Sequence, residues 1–89
     1  MYFMLRNHGL LTLGSTIADA FTNMYFFEAA CNIQIRAQAG GGPLIEIPAS
    51  ILSTAQEQAR VATRSLGAGA LAWPGLLRRL DRIDTSYRD

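Results

Sequence analysis

The chain has 89 residues, enough for one small domain with a modest core but too few for a large enzyme cleft. A hydrophobic fraction of 49%, with four Phe, three Tyr and one Trp, predicts a folded protein rather than a disordered one. Eight basic residues, all of them Arg, against seven acidic ones leave a net charge of +1, which argues against nucleic acid and anionic membrane surfaces as partners.

The first apolar run, residues 1–5, ends at Arg6, which makes it too short for a signal-peptide core or a membrane span. No later run of uncharged apolar residues is long enough to cross a bilayer, so we expect a cytoplasmic protein. Cys31 is the single cysteine, which excludes an internal disulfide and a thiolate zinc cluster. Its apolar helical surroundings favour a small buried side chain over a nucleophile, for which no neighbouring base is visible.

Two short apolar runs, residues 2–6 and 10–13, flank Asn7-His8-Gly9. Asn and Gly tolerate positive φ, so this segment predicts a β-hairpin over residues 2–13. Both runs are apolar without clean alternation, which is typical of strands covered on both faces. We therefore expect further strands that these 89 residues do not supply.

Three helices are predicted after the hairpin, near residues 16–38, 49–66 and 72–83. Thr16 is the expected cap of the first helix, with Asp19 in its first turn, and the Gly-rich residues 40–43 end it. Residues 44–47 alternate like a short edge segment. The second helix opens either with Pro48 in its first turn or with Ser50 as its cap. The first helix is apolar on two sides. We therefore expect it to pack against a sheet on one side and against another helix or subunit on the other.

The third helix is expected to carry Pro74 near its start, and the polar tail 84–89 is expected to be loose. Glu57 and Arg60 are spaced to form a weak pair on the second helix. The arginines 78, 79 and 82 lie beside Asp81 and Asp84, which favours a solvated, internally compensated face over a phosphate-binding patch. The side chains expected to be buried are Phe21, Met24, Cys31, Ile35, Leu52, Leu76 and Leu80.

His8 is the only histidine and the strongest candidate for chemistry, because a histidine at a turn offers an exposed, oriented nitrogen ligand for a metal. A catalytic zinc needs about three protein ligands, and the chain has no local candidates for the other two. Either the remaining ligands come from elsewhere, or His8 binds no metal. A metal shared between His8 residues of symmetry-related chains would require converging hairpins.

The sequence resembles the C-terminal part of the class II aldolase/adducin domain. The resemblance covers nearly the whole chain and rests on residues 5–14 around Asn7-His8-Gly9, then Ala18-Asp19-Ala20-Phe21, Met24-Tyr25, Glu28-Ala29-Ala30-Cys31, and the closing Trp73 with residues 76–82. It implies an α/β (α+β) fold: the hairpin and three helices would be the C-terminal portion of a three-layer α/β/α domain whose N-terminal half is absent.

The resemblance also implies a function. Enzymes of that family hold zinc or a related divalent ion through a His-x-His pair and a third histidine that His8 matches. They act on small sugar phosphates or related carbonyl compounds, and many assemble as homo-oligomers. The His-x-His pair, the acidic residue for proton transfer and the phosphate-binding loops have no counterpart in these 89 residues. We therefore expect part of a metal-dependent lyase, inactive as this chain alone and without tightly bound zinc; the alternative is a non-catalytic, adducin-like assembly module.

Overall fold

The computed structural model describes residues 1–63 and 67–89, which form a two-stranded hairpin followed by three α-helices. The strands are β1 (Tyr2–Leu5) and β2 (Gly9–Thr12). The helices are α1 (Ile17–Gln38), α2 (Ala49–Ala62) and α3 (Ala68–Asp81). The predicted mixed α/β class, with its hairpin and three helices, is confirmed.

The hairpin is antiparallel, with Tyr2 opposite Thr12 and Leu5 opposite Gly9. The ladder extends beyond the two strands, because the Leu13 N–H donates to the Met1 carbonyl at 3.0 Å. The predicted hairpin over residues 2–13 is therefore confirmed. The two strands pair only with each other within the described residues, so each strand has an outer edge without a backbone partner.

α1 begins as its sequence predicts. The Thr16 hydroxyl accepts a hydrogen bond from the Asp19 N–H at 3.1 Å, the usual way in which a threonine caps a helix. The helix ends at Gln38, just before the run of three glycines. Gly41 has φ +70°, a conformation that glycine adopts without strain, so the run serves as a helix exit.

α2 stands apart from the other elements. Residues 44–47, predicted as a short edge segment, form no strand, and that prediction is wrong. Pro48 precedes the helix rather than lying in its first turn, and its carbonyl accepts from the N–H groups of Ile51 and Leu52. The predicted pair of Glu57 and Arg60 is confirmed at 2.6 Å, and its hydrogen bond lowers the pKa of Glu57. The predicted last turn, residues 64–66, lies outside the described residues.

α3 starts four residues earlier than predicted, at Ala68 instead of residue 72, and Pro74 therefore lies inside the helix. The reason is a long-range contact: the Asp19 carboxylate on α1 accepts a hydrogen bond from the Gly69 N–H at 3.1 Å. A carboxylate at the N-terminus of a helix satisfies a free N–H group and interacts favourably with the helix dipole. The first turn of α3 is stabilised by a residue of another helix.

The C-terminal tail is more ordered than predicted. Ser86–Arg88 form a short 3₁₀ helix, and Arg88 makes an ion pair with Asp81 at 2.7 Å. The Tyr87 hydroxyl donates to the same carboxylate. Asp84 accepts hydrogen bonds from the backbone N–H and hydroxyl of Ser86, which lower its pKa. The expectation of a loose tail is wrong because these short-range bonds order it.

The described residues form no hydrophobic core. Thr22 is buried, but no hydrophobic side chain among the described residues is. Of the side chains expected to be buried, three are half-buried, namely Met24, Cys31 and Leu76. The others are exposed to 38–66%, namely Phe21, Ile35, Leu52 and Leu80. The burial prediction is wrong because the apolar faces have the predicted spacing but no second layer of this chain covers them.

The dimensions of the chain agree with the absence of a hydrophobic core among the described residues. Its radius of gyration is 16.3 Å, against about 12 Å for a compact domain of this length. Packing between elements joins α1 to α3 and α1 to β2, and among the described residues α2 has no contact of similar extent. No helix in the described ranges has the length and apolar character that a bilayer span requires.

The close approach of α1 and α3 makes a first prediction. A Cβ atom at Gly69 would overlap the backbone of Ala18. We expect Gly69→Ala to lower the free energy of unfolding by roughly 1–3 kcal/mol, because this overlap outweighs the better helix propensity of alanine. Urea unfolding followed by the fluorescence of Trp73, the single tryptophan, measures the change.

Gly42→Ala is the matched control, because a Cβ atom there meets nothing within 4 Å. We expect its free energy of unfolding to stay within about 0.5 kcal/mol of the wild-type value. Equal stability of the two variants would contradict the described contact between α1 and α3.

Candidate functional site

The hairpin tip, residues 6–8, presents the single histidine to solvent. The His8 N–H donates to the Leu5 carbonyl at 3.2 Å and closes a tight turn. Asn7 has φ +60° and Gly9 has φ +132°. The prediction that Asn and Gly supply positive φ at this connection is confirmed. The backbone of the tip is thereby held by the ladder on both sides and by its own turn.

The ring of His8 is oriented by the same turn. Its Nδ1 lies 2.9 Å from the carbonyl oxygen of Arg6, within hydrogen-bond distance. Nε2 makes no hydrogen bond within the described residues, and the side chain is exposed. Since the two ring nitrogens have separate lone pairs or protons, a contact at Nδ1 leaves Nε2 available as a ligand.

The described residues bring no second donor to His8. No group of three or more His, Cys, Asp or Glu side chains that could hold a metal occurs in residues 1–63 and 67–89. Cys31, the other soft donor, is half-buried on α1. A catalytic zinc site needs about three protein ligands, so the described residues do not form a complete site. The role of His8 as a metal ligand stays a prediction.

Polar bonds join α1 to the base of the hairpin, at the opposite end from the tip. The Tyr2 hydroxyl donates to Asn23 Oδ1 at 2.9 Å, and Asn23 Nδ2 donates to the Leu13 carbonyl at 3.0 Å. The Thr12 hydroxyl donates to the Ala20 carbonyl at 2.8 Å. The Tyr2 ring packs edge-on against Phe27, with 5.5 Å between ring centroids.

Asn23 is a positioning residue that the sequence analysis missed. The signal was present, because Asn23 is a polar residue between Ala20 and Phe27, which belong to an apolar face of α1. A polar side chain on such a face needs a hydrogen-bond partner, and the hairpin is the nearest source of one. The sequence does not reveal which strand atoms those partners are.

An apolar groove lies between α1 and α3. Phe21 and Trp73 pack edge to face at its centre, with 5.5 Å between ring centroids. The groove is lined mainly by Phe21, Trp73, Leu76, Leu77, Leu80 and Ile83. Tyr25 and Phe26, exposed to 63% and 60%, extend the apolar surface along α1. The lining has little polar character, so the groove is suited to contact with apolar surface rather than to chemistry.

The arginines of α3 are exposed, as predicted for a solvated face. Arg78 and Arg79 lie in its last turn, where positive charge interacts favourably with the helix dipole. Asp81 on the same helix forms an ion pair with Arg88 of the tail.

Comparison with known proteins identifies the family. The family profile described as Class II Aldolase and Adducin N-terminal domain matches residues 1–35, which include the hairpin and most of α1. A Pseudomonas aeruginosa protein whose name assigns it provisionally to aldolase class 2 is 47% identical over 98% of the chain. The chain covers 34% of that relative's length. No solved structure matches the chain significantly.

Two further relatives show the range of the family. The decarboxylase NovR of Streptomyces niveus is 37% identical over 79% of the chain, which covers 23% of NovR. The gamma-adducin of Mus musculus is 46% identical over 44% of the chain, which covers 6% of that protein. The chain belongs to the class II aldolase and adducin family and corresponds to part of its domain. It spans about a third of the length of the first of these relatives.

The polar anchor of the hairpin makes a second prediction. Asn23→Ala removes both the acceptor for Tyr2 and the donor to Leu13. We expect it to lower the free energy of unfolding by about 1 kcal/mol and to speed amide exchange in the hairpin. Urea unfolding and hydrogen exchange followed by NMR measure the two effects.

Asn32→Ala serves as the control, because Asn32 lies on the same helix but bonds only to Glu28 of that helix. It should leave hairpin exchange unchanged. If Asn23→Ala and Asn32→Ala had the same effect on hairpin exchange, the anchoring role of Asn23 would be wrong.

Proposed function

We propose that this chain supplies His8 as one ligand of a divalent-metal site, zinc or a related ion, in an aldolase-like lyase. The lyase would act on small sugar phosphates or related carbonyl compounds. The observation that carries the proposal is the geometry of the hairpin tip: an exposed imidazole whose Nδ1 lies against the Arg6 carbonyl and whose Nε2 is available. The tip lies within the residues that match the family profile.

A divalent ion in such a site would polarise a substrate carbonyl as a Lewis acid. The contribution of this chain is to hold one nitrogen donor in a defined direction, through the hairpin ladder and its anchor on α1. Because the described residues supply a single donor, the 89-residue chain alone is proposed to be inactive. The compartment that suits this chemistry is the cytoplasm.

The proposal predicts the metal content of a chimaera. The third of the Pseudomonas aeruginosa relative that matches this chain is replaced by residues 1–89, and the purified chimaera is dialysed and analysed by mass spectrometry for metals. We expect about one divalent ion per subunit. His8→Ala in the chimaera should weaken binding more than about 100-fold, since even outer-shell changes cost roughly 10- to 100-fold.

The isolated chain and the parent relative are the controls. The isolated chain should retain little zinc through dialysis, and His8→Ala should leave its thermal unfolding nearly unchanged, because an exposed turn residue contributes little stability. A chimaera that keeps its metal despite His8→Ala would show that His8 is not a ligand. A chimaera without metal, made from a metal-containing parent, would contradict the metal-dependent function.

The alternative is a non-catalytic, adducin-like assembly module. It is favoured by the match to gamma-adducin and by the exposed apolar surface of α1 and α3. The two candidates differ in the chimaera, because an assembly module needs no metal at His8.

Under either candidate, we propose that the chain forms a homo-oligomer. The solvent-accessible surface is 7738 Å², against about 5,100 Å² for a compact monomer of 9.7 kDa. The excess, roughly 2,600 Å², is close to what each partner buries in a large permanent interface. The groove between α1 and α3, with Phe26 beside it, offers an apolar surface to a second copy.

Sedimentation velocity at micromolar concentration measures this assembly. We expect a dimer or larger species for the wild-type chain and at least about tenfold weaker association for Phe26→Glu, because a carboxylate would be buried in the interface. Ile45→Glu is the control, since Ile45 is 93% exposed in the segment between α1 and α2 and should have no effect. If the wild-type chain is a monomer, self-association is excluded, and the apolar surface of α1 and α3 would have to pack against a different polypeptide.

A further inference from the structure

We propose that the hairpin tip selects the ring tautomer of His8, with the proton on Nδ1 and the lone pair on Nε2. The inference depends on the proposed function only for the use of Nε2 as a metal ligand. The proton position itself follows from the geometry of the tip.

The argument starts from the contact between His8 and Arg6. The Arg6 carbonyl oxygen lies 2.9 Å from Nδ1, and a carbonyl oxygen only accepts hydrogen bonds. The contact is therefore a hydrogen bond only when Nδ1 carries the proton. In the neutral ring the other nitrogen is then unprotonated, so Nε2 presents a lone pair to solvent.

Asn7 is the positioning residue of this arrangement. Its φ of +60° turns the chain between Arg6 and His8, and the ring of His8 lies within hydrogen-bond distance of the Arg6 carbonyl. Asparagine adopts such a φ readily, whereas a β-branched residue does so only with strain. Asn7 thus acts through the backbone and touches neither substrate nor metal.

This arrangement differs from an unconstrained side chain. A free neutral histidine favours the proton on Nε2, whereas the tip favours it on Nδ1. A neutral hydrogen bond of ordinary strength shifts such an equilibrium by roughly 2- to 10-fold. A ring held this way needs no proton rearrangement before Nε2 binds a metal, and second-shell hydrogen bonds of this kind orient histidine ligands.

The test is the nitrogen NMR spectrum of His8 in the metal-free 89-residue chain. The single histidine gives one pair of ring nitrogen signals, recorded at a pH where the imidazole is neutral. We expect the ratio of Nδ1–H to Nε2–H in the wild-type chain to be roughly 2- to 10-fold higher than in the urea-unfolded chain.

Two variants separate the role of Asn7 from general loosening. Asn7→Gly retains access to positive φ and should keep the wild-type ratio of Nδ1–H to Nε2–H. Asn7→Val should return the ratio to that of the unfolded chain. Cross-strand contacts between Met4 and Leu10 report in each variant whether the hairpin is intact.

A ratio of Nδ1–H to Nε2–H in the wild-type chain equal to that of the urea-unfolded chain would overturn the inference. An unchanged ratio in Asn7→Val with an intact hairpin would overturn the role of Asn7. Both NMR experiments use metal-free protein. If the metal-content experiment fails, the tautomer assignment is therefore unaffected. If the tautomer experiment fails, the chimaera still decides whether His8 binds a metal.

Discussion

The hydrogen bond between the Asp19 carboxylate and the Gly69 N–H joins two residues 50 positions apart in the chain. Asp19 also donates its own backbone N–H to Thr16, so the same residue takes part in starting α1 and α3. The absence of a side chain at Gly69 lets the backbone of α3 approach Ala18. Through this contact α3 packs on α1, which also carries the hairpin, and α1 becomes the scaffold of the described structure.

That scaffold has two apolar sides and little to cover them. On one side the hairpin contacts α1 through Tyr2 and Phe27, and on the other α3 contacts it through Phe21 and Trp73. Each aromatic pair lies beside apolar side chains that remain exposed, such as Tyr25 and Phe26. The hydrophobic effect therefore favours further burial, either against another copy of the chain or against the remainder of a larger domain. The Pseudomonas aeruginosa relative, about three times as long as this chain, is consistent with the second possibility.

The hairpin tip contrasts with this incomplete packing. Its geometry is determined by short-range bonds: the ladder between β1 and β2, the turn from Leu5 to His8, and the contact of Nδ1 with Arg6. Such bonds need no core to form. A single oriented nitrogen donor is compatible with a chain that contributes to a metal site without completing it, and the positive φ of Asn7 is the local feature that makes the orientation possible.

The sequence by itself determined what depends on neighbouring residues. The hairpin followed from Asn7 and Gly9, the start of α1 from Thr16, and the pair of Glu57 and Arg60 from helical spacing, because turns, caps and pairs three residues apart involve only nearby groups. The same hairpin prediction placed His8 at an exposed turn, because His8 lies between Asn7 and Gly9.

Only the tertiary structure decided the early start of α3, because its capping carboxylate comes from Asp19 on another helix. It also decided the partners of Asn23 and the exposure of Ile35 and Leu52. Hydrophobic periodicity shows which face of a helix is apolar, but whether that face is buried depends on the presence of a second layer. The described residues contain no such layer, and side chains that were predicted to form a core are therefore exposed.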